Sequence, residues 1–141
     1  MQKSTSSSAM LLAVALLTGC GGSNLIGPEN ELEVTNALDQ FQFQVSDLVE
    51  VDDTRSYTWE NTGTQATIDV SQAITGGAAF LTILDADGTV MYQEDIADDS
   101  DTTTPVGVPG QWRIEVRLES ATGTFNFRVQ KSACRPGSAL A

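Results

Sequence analysis

The chain of 141 residues contains no histidine. This removes the imidazole on which serine triads and most zinc sites depend, and it leaves a cysteine thiol without its usual activating base. Basic residues are scarce, 7 Lys and Arg against 19 Asp and Glu, for a formal charge of -12. Nucleic acid is therefore disfavoured as a partner, and none is expected, because its binding relies on cationic side chains that neutralise phosphates. Aromatic residues make up only 6% of the chain. Each ring carries a large apolar burial, so the few present, Tyr57 and Trp59 among them, read as core rather than as a sugar-stacking surface. No apolar run approaches the roughly 20 residues that span a bilayer as a helix.

The one apolar run near the start, Ala9 to Leu17, follows a single charge at Lys3 and ends in small residues before Cys20. That is the layout of a secretory signal peptide. Its closing Leu17-Thr18-Gly19-Cys20 resembles the lipobox of bacterial lipoproteins. The resemblance implies removal of residues 1–19, acylation of Cys20, and a membrane partner held through the lipid. Two or three acyl chains on one residue anchor durably where a single chain does not. Gly21 stands where an Asp would mark retention in the inner membrane, which implies the outer membrane in a Gram-negative cell. Removing residues 1–19 takes away Lys3 and no acid, moving the charge from -12 to -13. An anionic lipid surface repels such a domain, so the lipid rather than the protein does the anchoring. With Cys20 committed to lipid, Cys134 is left without an intramolecular partner, as a free thiol or an intermolecular bond. The division that follows is a lipidated cysteine with a flexible tether and lead-in over 20–37, a domain over 38–131, and a patternless tail over 132–141.

Within the domain, apolar residues recur at every second position, as on a strand with one buried face. Phe41, Phe43 and Val45 alternate with glutamines, Tyr57 and Trp59 with polar residues, and Ala66, Ile68 and Val70 with Thr67 and Asp69. Asp52-Asp53 reads as a break between the first two runs, and Asn61 to Thr64 as a turn. After Gly76-Gly77, the run Ala78 to Leu84 is apolar on both faces. With Ala79, Leu81 and Ile83 inward, Phe80 and Leu84 point outward together as a candidate interaction patch. Asp85-Ala86-Asp87-Gly88 predicts a hairpin with Gly88 at positive φ, returning through Val90 and Tyr92. Trp112, Ile114, Val116 and Leu118 form the clearest run. A loop over 120–123 then leads to Phe125, Phe127 and Val129, which are expected to pair antiparallel with the Trp112 run.

Seven or eight short strands without a convincing helix predict an all-β, antiparallel β-sandwich. The Asp-x-Asp-Gly hairpin, the strand Gly110-Gln111-Trp112-Arg113-Ile114-Glu115-Val116 and the closing Gly123-Thr124-Phe125-Asn126-Phe127 together resemble the pre-peptidase C-terminal type of jelly-roll module, over about residues 40–131. The resemblance implies a jelly-roll-like fold and no particular chemistry.

Oxygen ligands at alternating positions suit calcium. The candidate set for that cation is Asp85 and Asp87 in the hairpin with Asp95, Asp98, Asp99 and Asp101 in the acidic stretch beyond it. An EF-hand is excluded, because Gly88 stands fourth rather than sixth from Asp85. Nothing selects a catalytic pair among so many carboxylates. The expectation is thus a lipid-anchored, non-enzymatic protein of the envelope surface, a structural or protein-interaction module with an envelope protein as its partner. The alternative is a calcium- or carbohydrate-binding accessory module.

Overall fold

The computed structural model describes residues 24–96 and 98–132. Residues 1–23, which hold the expected signal segment and Cys20, and residues 133–141, with Cys134, lie outside the described residues. Among the described residues there are six strands: β1 (Glu33–Ala37), β2 (Gln40–Asn61), β3 (Ala66–Leu84), β4 (Val90–Asp95), β5 (Ser100–Thr103) and β6 (Gly110–Lys131). Every pairing is antiparallel, in the order β1-β2-β6-β3-β4, with β5 also paired to β3. The last described strand, β6, therefore lies at the centre, between β2 and β3.

Strands β2, β3 and β6 run 22, 19 and 22 residues, and each bends near its middle. The register slips between Val45 and Asp53 on β2 and between Ile74 and Ala78 on β3. Positive φ angles at Asp47, Glu50, Gly77, Ser120 and Gly123 turn the backbone there. Such bulges bend a strand and increase its local twist. The two halves of each long strand consequently serve two facing layers. One layer holds β1, β5 and the halves 40–45, 66–74 and 123–131; the other holds β4 and the halves 53–61, 78–84 and 110–118. The product is an antiparallel β-sandwich, closed by the bends at one end and by loops at the other.

Two expectations are corrected by this arrangement. The runs at 41–45 and 57–59, at 66–70 and 78–84, and at 112–118 and 125–129 are halves of three continuous strands, so the count falls to six. The Trp112 and Phe125 runs do not pair with each other, since 120–123 is a bend within β6 and each run pairs with β2 and β3 instead. The described part of the 20–37 lead-in, residues 24–37, packs on the domain through a 3-10 turn and edge strand β1. Pro28–Asn30 form a 3-10 turn, and Asn30, 2% exposed, donates from Nδ2 to the carbonyls of Ser46 and Asp47 at 3.0 and 2.9 Å.

The facing layers bury the predicted alternating residues. Phe41, Phe43, Phe125 and Phe127 line one layer, with Phe43 stacked 5.3 Å from Phe127 and 5.6 Å from Phe125. Tyr57 comes from the opposite layer to lie 5.2 Å from Phe41, measured between ring centroids. Trp59 and Trp112 are direct cross-strand partners, meet edge to face at 6.0 Å, and are fully buried. Each indole N–H still finds an acceptor, Ala37 O at 3.1 Å and Val108 O at 2.7 Å respectively. Burial of both rings therefore leaves no polar atom unpaired.

Candidate acidic cleft at the β4 and β5 edge

Strand β4 ends the order of one layer and β5 that of the other, on the same side of the molecule. The chain crosses between them through Ile96, which is buried and donates its N–H to Ala79 O at 2.7 Å. Farther along the crossing, Asp99 accepts the Gln72 N–H at 2.9 Å. Because β5 is short and the crossing is pinned at both ends, the layers stay parted between the two edges. A cleft of about 310 Å³ opens there, with Val70 and Ile96 as apolar lining, Tyr92 beside them, and Glu94, Asp95 and Asp98 at its acidic side. Ser100 and Thr102 add hydroxyls.

Burial pushes the Tyr92 phenol above its ordinary value; a hydrogen bond with the Ser100 side chain opposes this and the Glu94 charge adds to it. The phenol is thus neutral at physiological pH. Two further hollows adjoin the cleft. One, of about 220 Å³, shares Asp95 and Ile96 and runs toward Gly76-Gly77, and the other, of about 400 Å³, is lined by Asp69, Asp99 and Asp101. The ion pairs among the described residues are Arg55 with Asp53, Arg117 with Glu119, Arg128 with Asp69 and Lys131 with Asp39. None neutralises Glu94, Asp95, Asp98, Asp99 or Asp101, so this edge concentrates negative charge.

The six aspartates proposed for calcium fall into three places: Asp85 and Asp87 in the hairpin, Asp95 and Asp98 on the cleft, and Asp99 and Asp101 on the neighbouring hollow. Among the described residues no three acidic groups stand where they share one metal ion. Asp85 is occupied otherwise: Oδ1 accepts the N–H groups of Asp87 and Thr89, and Oδ2 that of Val108, each at 2.9 Å. Burial alone raises its pKa, but the N–H groups of Thr89, Val108, Asp87 and Gly88 outweigh burial and hold the carboxyl below its usual range. Its role is to tie the hairpin to the 105–110 loop. Gly88 adopts the expected positive φ, 85°. Asp95 and Asp98 reach the cleft, while Asp99 and Asp101 line the neighbouring hollow.

Phe80 and Leu84 are half-buried. The guanidinium carbon of Arg117, the cross-strand partner of Phe80, sits 4.5 Å from its ring centroid and covers that face. Sequence reasoning singled out the acidic stretch but not Val70, Tyr92, Ser100 or Thr102. Strand β5, Ser-Asp-Thr-Thr, carries no apolar residue to announce it.

No protein-family model matches the chain, and no curated protein matches it. Among solved structures, one described as "CBM4 structure and function" aligns at 14% identity and a TM-score of 0.40, over 73% of this chain and 79% of that one. The glycosylation-associated Gap123 complex from Streptococcus agalactiae aligns at 6% identity and a TM-score of 0.38, over 72% of this chain and 39% of the other. A structure of infectious bursal disease virus, Gx strain, aligns at 16% identity and a TM-score of 0.27, over 76% and 33%.

Proposed function

We propose that the chain is a lipid-anchored, non-enzymatic module of the bacterial envelope surface. It is held through acylated Cys20, in the outer membrane where the cell has one, and it binds a protein partner along the β4 and β5 edge. The observation that carries this reading is the coincidence on one side of a strand edge, a cleft with apolar lining and five carboxylates that have no cationic partner among the described residues. The outer edge of β4 offers unpaired backbone N–H and C=O groups, to which an extended segment adds as a further strand. Glu94, Asp95 and Asp98 favour a segment carrying Lys or Arg, and such charges act chiefly on encounter rate and partner choice.

A photoreactive residue in place of exposed Gln93 on β4 tests the partner site in membranes of the native organism. The expected outcome is a discrete protein adduct that the same residue at Arg113, on the central strand, does not give. Enrichment of the domain on a glycan array with no protein adduct would replace this reading with the carbohydrate-binding alternative, which Tyr92 amid carboxylates and hydroxyls favours. For the anchor, Cys20→Ser is expected to move the protein from the membrane to the soluble fraction.

A further inference from the structure

Asn24, the first described residue, is fastened to the bend of β2. Its Nδ2 donates to the carbonyls of Val49 and Glu50 at 2.7 and 3.1 Å, and its own carbonyl accepts the Asp52 N–H at 2.9 Å. Beside these contacts lie two of the largest exposed apolar side chains, Leu25 at 56% and Val49 at 65%. Only Gly21, Gly22 and Ser23 separate Asn24 from Cys20. Four Cα steps of 3.8 Å reach at most about 15 Å. The interfacial layer of a bilayer is itself roughly 5 to 8 Å thick on each side. An acylated Cys20 therefore keeps Asn24, and with it the bend end of the sandwich, within about 10 Å of the outer boundary of the headgroups at full extension, and against them at anything shorter.

We propose that this bend end is a membrane-contacting surface, with Leu25 and Val49 entering the headgroup region of the bilayer that holds the lipid. The inference rests on acylation of Cys20. Leu25 and Val49 are then not stray exposed residues: the apolar pair occupies the end to which the lipid is tied. Asp47 and Glu50 flank it, and their charge limits the depth of entry. The opposite end lies far away, since the nine residues of β2 from 53 to 61 extend about 30 Å at 3.3 Å each. Exposed Val106, in the loop that closes that opposite end, is consequently out of reach of the bilayer.

The test uses the full acylated chain reconstituted in phosphatidylethanolamine and phosphatidylcholine vesicles containing chain-brominated lipid. Val49→Trp and, as a second variant in case that one folds poorly, Leu25→Trp are compared with Val106→Trp. The buried Trp59 and Trp112 contribute the same background to each. The expected result is at least two-fold stronger quenching of the added tryptophan at 49 or 25 than at 106. Equal quenching at both ends, with the acyl mass present on the Cys20 peptide, overturns this inference and leaves the anchor intact. Absence of the acyl mass overturns both.

Discussion

Asp85 gathers backbone donors from two loops, and the chemistry of its carboxylate dominates what the residue does. Replacing it by Ala leaves the Asp87, Thr89 and Val108 N–H groups without their acceptor, at a cost of about 2 to 4 kcal/mol, measurable as a lowered urea midpoint. The folded pKa lies below the ordinary value of 3.8. Its stabilisation is accordingly present in full above that value and is lost as pH falls through the lower, folded value. The stability gap between the native chain and Asp85→Asn should hold from pH 7 to about 4 and narrow below that, in chemical denaturation at a series of pH values. Asp39 behaves alike. Burial raises its carboxyl, but the Thr62 N–H and hydroxyl and the Lys131 ammonium outweigh burial and lower it. The sequence marked Asp85 as a ligand candidate because spacing reveals which carboxylates are near in the chain, not which donors a fold aims at them. Trp112 was legible, since strict alternation buries it whatever its neighbours. Its truncation to Ala should cost about 3 to 5 kcal/mol.

At the scale of the element, the bends decide the architecture. Gly77 adopts φ 67°, and a Cβ placed there would lie 1.9 Å from the carbonyl oxygen of Ser120 on β6. Backbone rather than a flexible side chain is in the way, so Gly77→Ala must open the β3 and β6 ladder. A loss of about 3 kcal/mol or more is expected in thermal or urea unfolding. Gly76→Ala, which meets only the Thr122 side chain at 3.5 Å, should be far milder and serves as the comparison. The bends also explain what was hidden in the sequence. Period-two alternation identified five of the half-strands and a continuous apolar run the sixth, 78–84, but Asp52-Asp53, Gly76-Gly77 and Ser120 to Gly123 read equally as turns or bulges, because both need residues tolerant of positive φ. Continuity across them depends on the partner strand, which is more than 60 residues away for β2 and β6 at Val51 and Ala121. The cleft was half legible for a related reason. Its carboxylates are conspicuous in the chain, while Val70 and Tyr92 look like ordinary strand residues until β4 and β5 are placed in opposite layers.

For the whole molecule, the dispersal of the acidic groups predicts that calcium is no structural cofactor: millimolar calcium should leave the melting temperature within about 1 °C of that in magnesium, as followed by circular dichroism. The dominant pairings are long-range, so folding should take milliseconds to seconds, as for other sandwiches. The position of β6 has a further consequence in time. As the chain emerges from its N-terminus, β2 and β3 have no strand between them until residues 110–131 arrive. Earlier lengths can form local hairpins at most, and these are marginal in water. The nascent chain stays short of a closed domain, and threadable through a pore, until β6 has been made. Completion of β6 then closes the domain, so the fold distinguishes a chain that carries residues 110–131 from every shorter one.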